Sequence, residues 1–254
     1  MKNKYHINYT IPLSVFVLVM LSWEFLPKAF GVPSYVFPRL SEILNAISTN
    51  KTNLYIHFTT TLNEAVLGFI FGSAFGFIVG VAMAQSRLFS NIALPYVIAS
   101  NAIPVIAIAP IIILWFGQGI TAKAVVSAFL CFFPLVINTY KGLSEYNPIY
   151  KELFQLYGAS KNDFLLKFKL SNAIPYIISG LKLNATFAVV GAVVAEFIGA
   201  NAGLGFGMLQ ASYSLNTPRL WSYILVSCLL GVSMYLLMYL FERYLLRHRT
   251  SGNN

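Results

Sequence analysis

Six long apolar segments constrain this chain more than any other feature of its sequence. Each holds at most two charged residues and lies near the roughly 20 residues that an α-helix needs to cross a bilayer. The predicted spans are about 11–27, 63–84, 92–116, 123–141, 173–199 and 220–243. The segments also lack the alternating pattern that strands of a membrane barrel show. We therefore predict an all-α membrane protein with six transmembrane helices.

The composition excludes a soluble protein. Hydrophobic residues make up 57% of the 254 residues and charged residues only 10%, whereas soluble domains carry roughly 25% charged residues. The spans and their loops use the available length, so residues 1–254 are expected to form one transmembrane domain without a soluble catalytic domain. A net charge of +9 would suggest a nucleic-acid partner for a soluble protein. In a membrane protein basic residues first report orientation, and we expect no nucleic-acid partner.

The basic residues of the loops predict that both termini lie in the cytoplasm. No small-residue cleavage site directly follows the first apolar run, so this run is expected to remain as a span. With the N-terminus inside, the cytoplasmic side holds 11 basic residues: Lys2, Lys4, Arg87, Lys141, Lys151, Lys161, Lys167, Lys169, Arg243, Arg247 and Arg249. The outer side holds only five: Lys28, Arg39, Lys51, Lys123 and Arg219.

Small residues and prolines mark particular spans. Glycine recurs every fourth residue in the second span, at Gly68, Gly72, Gly76 and Gly80. Such a stripe lets another helix approach closely; the spacing leaves open whether that helix belongs to a second copy, although we favour the same chain. Prolines predict kinks in the third and fourth spans. The kinked helices either border a pathway or are bent only for packing. The prolines are Pro95, Pro104, Pro110 and Pro134.

The connection 142–171 carries its own helix signals. Asn147 is a suitable N-cap with Pro148 at the first helical position, and Gly158 stands where a left-handed residue ends a helix. A short helix at about 148–157 follows. Ser160 and Asp163 resemble a capping box that opens a second helix. The first helix is too apolar for a solvated loop, so it lies in the lipid interface or inserts into a cytoplasmic partner.

Polar groups at membrane depth are candidates for function. Glu196 near the outer end of the fifth span is a candidate gate or buried ion pair, whereas Glu64 is expected to be solvated. Lys182 is expected to reach toward the interface or to pair with an acidic residue. Four uncharged groups are candidates for a translocation pathway, with interhelical hydrogen bonding as the alternative: Asn101, Asn138, Asn184 and Thr186.

The connection 142–171 resembles the loop signature of the membrane-spanning permease subunits of ATP-binding-cassette importers. Glu152, Gly158, Ala159, Ser160, Phe168 and Leu170 match that signature. Leu153 and Phe154 replace its two small residues, and Ser171 replaces the first of its two prolines. Blocks within 103–123, 132–142 and 195–205 are similar to the group that imports nitrate, taurine, aliphatic sulfonates and thiamine-precursor pyrimidines.

The resemblance implies a type I importer-like fold and a set of partners. It implies a pair of identical permease subunits in the bacterial cytoplasmic membrane, a binding protein outside and two ATPases inside. The residues implied to contact the ATPase are Glu152, Leu153, Phe154, Leu156, Tyr157, Gly158, Ala159 and Ser160. The sequence contains no G-x-x-x-x-G-K-[ST] motif, so ATP and Mg²⁺ are expected in the partner. The chain itself is expected to have no catalytic residue, metal or cofactor.

Two other functions agree less well with the sequence. A stand-alone ion-coupled transporter would need carboxylates at the membrane midplane, but Glu64 and Glu196 lie near span ends. An intramembrane enzyme would need a nucleophile or metal constellation. His6, His57 and His248 all fall outside the predicted spans, which argues against it. No cluster of cations or acidic ring for ion selection lies in the spans, so the binding protein is expected to select the solute.

Overall fold

The computed structural model describes residues 10–246, and within that range the regular structure is entirely helical. The basic residues Lys2, Lys4, Arg247 and Arg249 and the histidines His6 and His248 lie outside the described residues. In chain order the elements are α1 (Thr10–Ala29), α2 (Leu40–Thr49), α3 (Lys51–Gln85), α4 (Arg87–Asn101), α5 (Val105–Phe116), α6 (Ile120–Ser144), α7 (Pro148–Leu156), α8 (Lys161–Asp163), a π-helical turn (Phe164–Lys169), α9 (Leu170–Gly199), α10 (Leu204–Tyr213) and α11 (Thr217–Leu246).

Five helices among the described residues are long and apolar enough to cross a membrane. They are α1, α3, α6, α11 and the continuous helix that α8, the π turn and α9 form over Lys161–Gly199. The third predicted span, 92–116, is not one straight helix. Instead α4 and α5 meet at 100°, because Ile103 and Pro104 leave the helical conformation and Pro104 has no N–H to continue it. A sixth crossing exists only if this bent pair is one broken span.

The glycine stripe of α3 packs against α6 of the same chain, which answers the question that the spacing left open. A Cβ atom added at Gly72 would meet the backbone of Ala128 in α6, with Ala128 Cα at 2.8 Å. One added at Gly76 would lie 2.6 Å from the carbonyl oxygen of Phe132. The two backbones are therefore in direct contact along the stripe.

The other face of α6 packs equally closely against α9. A Cβ at Gly191 of α9 would lie 2.6 Å from Ser127 Cα, and one at Gly142 of α6 would lie 3.0 Å from Ala173 Cα. The Ser127 hydroxyl donates a hydrogen bond of 2.9 Å to the carbonyl oxygen of Ala188. Helix α6 therefore forms the centre of the bundle, between α3 and α9.

Helix α1 lies at the edge of this bundle and most of its side chains are exposed. Its C-terminal half is held by Trp23, whose ring contacts Trp221 of α11 edge-on at 4.9 Å between centroids. The Trp23 indole N–H donates to the carbonyl oxygen of Pro38 at 3.0 Å. The carboxylate of Glu24 accepts from the backbone N–H of Ser41 at the start of α2 at 2.9 Å. The rest of α1 presents an apolar surface suited to lipid.

Gly72→Ala should destabilise the bundle, because the new methyl group would meet backbone atoms of α6 that cannot move aside as a side chain can. We expect a loss of about 1–3 kcal/mol in the free energy of unfolding, measured by thermal denaturation in detergent. Gly231→Ala is the matched control, since nothing lies within 4 Å of a Cβ there. Equal losses for the two variants would contradict close α3–α6 packing.

Candidate functional site

The helix α7 at one end of the bundle is built as the sequence predicted. The Asn147 side chain accepts a hydrogen bond from the backbone N–H of Ile149 at 3.1 Å, and Pro148 follows it. Gly158 has a φ of +68°, the left-handed conformation that ends the helix. Ser160 and Asp163 form the predicted capping box. These caps fix both ends of α7 and the start of the next helix.

An aromatic cluster braces α7 against the π turn. The ring of Phe154 lies 5.2 Å from that of Phe164, and the ring of Tyr150 lies 4.7 Å from that of Phe168, between centroids. Phe164 and Phe168 stack at 5.3 Å, and Tyr146 contacts Phe164 edge-on at 5.3 Å. Such ring contacts contribute about 0.5–1.5 kcal/mol each beyond the burial of area. Helix α7 is therefore attached firmly to the helix that continues into α9.

The outward surface of α7 is apolar. Leu156 and Tyr157 are 84% and 83% exposed, and Glu152, Leu153 and Gly158 are exposed beside them. Ser160 is exposed as well, while Phe154 and Ala159 are half-buried. Among the residues that the resemblance implies for ATPase contact, Phe154 thus directs its ring into the aromatic cluster.

At the opposite end of the bundle Glu196 is buried in a polar network. Its carboxylate accepts a hydrogen bond from the Thr61 hydroxyl at 2.6 Å and another from the Gly205 N–H at 2.6 Å. The carboxyl group of Glu64 is also buried and lies beside that of Glu196. The expectation that Glu64 is solvated was wrong, because Glu64 faces α9 rather than the bundle surface.

The first three N–H groups at the start of α10 all donate to side chains of α3 and α9. Gly203 donates to Nδ1 of His57 at 3.0 Å, Leu204 to Oγ1 of Thr61 at 2.8 Å, and Gly205 to Glu196. The first turn of a helix otherwise leaves these donors unpaired. A Cβ at Gly203 would collide with the Glu196 carboxyl group, and its φ of +117° strongly favours glycine. The network therefore anchors α10 to α3 and α9.

Lys123 places a positive charge near both buried carboxyl groups. It is 4% exposed, and its ammonium group donates to the carbonyl oxygen of Gln118. One oxygen of Glu64, Oε2, is buried without a hydrogen-bond partner. The network thus holds two carboxyl groups and one ammonium group with little access to water. The expected gate or buried ion pair at Glu196 stays a prediction.

The partners of Glu196, which are His57, Thr61 and Glu64, were not predicted, although the sequence contains a signal for them. The three residues continue the stripe of Gly68 and Gly72 toward the N-terminus of α3 at spacings of three and four residues. Residues at these spacings share one helix face. Because the glycine face is buried against neighbouring helices, polar residues on the same face are buried with it.

The four uncharged pathway candidates occupy different environments. Asn184 is fully buried between helices, and its side-chain amide donates to Ser73 of α3 at 2.9 Å. The Asn138 amide donates to the carbonyl oxygen of Pro134 in its own helix at 2.8 Å. Asn101 is exposed at the end of α4, and Thr186 is half-buried on α9. Asn184 makes the interhelical hydrogen bond that was the alternative to a pathway role.

Lys182 pairs with an acidic residue, which confirms one of the two expectations for it. Its ammonium nitrogen lies 2.8 Å from Oε2 of Glu242 in α11. Both side chains are about four-fifths buried, so the pair joins α9 to α11 where water is scarce. No group of three His, Cys, Asp or Glu side chains suited to a metal ion occurs within residues 10–246.

Thr61→Val should loosen the anchor of α10, because valine has the shape of threonine but cannot accept from Leu204 or donate to Glu196. A buried donor left without a partner costs about 1–3 kcal/mol, which thermal denaturation and faster amide hydrogen exchange at Leu204 would report. Thr59→Val is the control, since the exposed Thr59 hydroxyl bonds only to carbonyl oxygens of its own helix. Unchanged exchange at Leu204 in Thr61→Val would refute this account of the network.

Comparisons with known proteins place this architecture in a family. The sequence profile described as "Binding-protein-dependent transport system inner membrane component" matches residues 72–247. The chain is 32% identical over 224 residues to a probable ABC transporter permease protein of Haemophilus influenzae, covering 88% of this chain and 91% of the relative. It is 31% identical to the formylaminopyrimidine transport permease protein ThiX of Halalkalibacterium halodurans, covering 87% and 88%. The riboflavin transport system permease protein RibX of Chloroflexus aurantiacus is 30% identical, covering 92% and 88%.

The fold is also similar to that of a solved ABC transporter. Inward-facing structures of the MetNI methionine ABC transporter include a chain that superposes with a TM-score of 0.67 at 18% sequence identity. The superposition covers 76% of this chain and 96% of that one. It confirms the all-α, type I importer-like architecture. The chain belongs to the family of binding-protein-dependent transport system inner membrane components, the membrane-embedded permease subunits of ATP-binding-cassette importers.

Proposed function

We propose that this chain forms half of a translocation pathway for a small polar solute and that ATPase subunits drive it by docking on α7. The observation that carries the proposal is the outward surface of α7, where Leu156 and Tyr157 are almost fully exposed on a helix that is capped at both ends. An apolar surface on a rigid short helix is suited to a cleft in a partner. Two ATPase subunits, one for each permease copy, would supply ATP and Mg²⁺.

The connection from α7 to the membrane supports a mechanical role. The helix Lys161–Gly199 is 39 residues long and unbroken, which corresponds to about 58 Å. The aromatic cluster holds α7 against the start of this helix, and the Glu196 network holds α10 against its end. A movement of α7 would therefore be transmitted to the opposite end of the bundle, where α10 and the predicted binding-protein side lie.

An uncovered stripe on α9 supports a second copy of the chain. Leu183, Phe187, Val190 and Phe197 follow one another at spacings of four, three and seven residues, and all are exposed although α9 is a central helix. Residues at these spacings lie on one face. In a homodimer two such faces would border a shared pathway, and Thr186 lies next to this stripe.

For the solute we propose a nitrogen heterocycle similar to a thiamine-precursor pyrimidine, ahead of a sulfonate, taurine or nitrate. The relatives ThiX and RibX are named as permeases for formylaminopyrimidine and riboflavin, both nitrogen heterocycles. A taurine permease of Escherichia coli shares 28% identity. The uncovered stripe of α9 is apolar, which suits an uncharged ring better than an anion. A separate extracytoplasmic binding protein would make the final selection.

The second candidate is an ion-coupled transporter that acts alone. The buried Glu64 and Glu196 pair favours it, since protonatable carboxyl groups inside a membrane can carry protons. Against it, both groups lie near one end of the bundle, and Glu196 is engaged in holding α10. Direct transport measurements separate the two functions.

Leu156→Ser should weaken binding of the ATPase, because it removes an apolar contact from the centre of the outward surface of α7. We expect about a tenfold loss of ATPase co-purified with the permease, and similar losses for Glu152→Lys and Gly158→Pro. Leu166→Ser is the matched control, since Leu166 is an exposed leucine of the neighbouring π turn. Normal ATPase recovery with all three α7 variants would show that α7 only lies on the membrane surface.

The purified chain in liposomes should move no solute under a proton or sodium gradient when ATPase subunits are absent, because the proposed energy source is missing. Uptake of a radiolabelled pyrimidine, taurine and nitrate would be measured with and without each gradient. Liposomes that also contain the ATPase, the binding protein and ATP provide the positive control. Gradient-driven uptake by the chain alone would overturn the importer mechanism in favour of the second candidate.

A further inference from the structure

Two adjoining cavities lie behind α7, on the side away from its outward surface. The first, of about 380 Å³, is bounded by the end of α3, the start of α4, α7 and the π turn. The second, of about 320 Å³, extends between the end of α3 and the end of α6. Both are lined by Gln85, Arg87, Tyr146 and Lys169. They form one continuous recess with Arg87 and Lys169 at its centre.

The recess concentrates positive charge without a counterion. Arg87, Lys151, Lys161 and Lys169 line the first cavity, and no acidic side chain lines either cavity. None of these four forms an ion pair with any carboxylate within residues 10–246. Nearby basic residues outside the recess behave differently, since Lys141 pairs with Glu145 and Lys167 with Asp163. The four cations therefore repel one another unless an anion lies between them.

The recess also provides hydrogen-bond donors of the kind that phosphate oxygens accept. The hydroxyl groups of Tyr140 and Ser144 line the second cavity, where Ser90 also lies but donates to the carbonyl oxygen of Arg87. The ammonium group of Lys169 lies 4.9 Å from the ring centroid of Tyr146, which holds this cation at the junction of the two cavities. Arginine and lysine together with hydroxyl groups are the usual partners of phosphate in proteins.

We propose that this recess binds the phosphate of an anionic phospholipid headgroup. Arg87 begins α4 directly after the long apolar helix α3, so the recess lies where membrane helices emerge from the bilayer. Basic pockets between transmembrane helices on the cytoplasmic side bind anionic headgroups. Lys151 and Gln155 of α7 form part of the wall, so a bound headgroup would also steady α7. That consequence rests on the proposed function, whereas binding itself does not.

Native mass spectrometry of the full chain in detergent tests the proposal. Phosphatidylglycerol, phosphatidylcholine and inorganic phosphate serve as the probes. The first variant pair is a double variant, Arg87→Gln with Lys169→Gln, which removes the two central cations of the recess. The control pair is the double variant Lys141→Gln with Lys167→Gln, which removes the same amount of charge outside the recess. We expect about a twenty-five-fold loss of phosphatidylglycerol affinity in the first pair, because each of its two basic residues near an anionic surface contributes about fivefold. The control pair should lose less than about threefold, since its charges lie outside the recess.

The other outcomes would show that something other than an anionic lipid occupies the recess. Equal losses in the two variant pairs, or equal binding of phosphatidylglycerol and phosphatidylcholine, would overturn the proposal. Displacement of phosphatidylglycerol by millimolar inorganic phosphate would assign the site to a soluble phosphate and overturn the lipid assignment. Lipid that binds the free chain but is absent from its complex with ATPase subunits would assign the recess to the ATPase. ATPase recovery with the two recess substitutions is measured separately, so that failure of lipid binding and failure of ATPase docking are distinguished.

Discussion

The direct contact of three helix backbones in the bundle centre is the constraint on which the rest of the structure depends. Helices α3 and α9 approach α6 closely enough that a methyl group at Gly72 or Gly191 would meet backbone atoms. Apolar side chains gain little by packing on one another in lipid, since lipid tails are equally apolar, so association depends on close packing and hydrogen bonds. The Ser127 and Asn184 bonds add polar contacts to this packing. The other helices pack around this trio.

Close packing also explains why polar groups can be buried near one end of the bundle. The face of α3 that carries the glycines continues into Glu64, Thr61 and His57, so these groups are pressed against α9 and α10. Buried polar groups are tolerated when they are hydrogen-bonded, and here the N–H groups at the start of α10 serve that purpose. The same contact that stabilises the core thus fixes the position of α10.

The two ends of the long helix Lys161–Gly199 differ in how they are held. At the α10 end, buried hydrogen bonds and charges hold neighbouring helices. At the α7 end, aromatic rings and local caps hold a short helix whose outer surface stays free. A rigid connection between a free apolar surface and a buried network is the arrangement that the proposed transport cycle requires, because a partner at one end can then act on the other.

The sequence alone determined the class of protein and the structure of α7. These depend on local properties: the length of an apolar run, an N-cap at Asn147 and a left-handed glycine at Gly158. Only the tertiary structure decided that the glycine stripe meets α6, that α4 and α5 bend by 100°, and that Glu64 joins Glu196. Those outcomes depend on which helix faces are neighbours in space. The residues on one face of a helix show that the face is suited to packing, but they do not specify which other helix packs there.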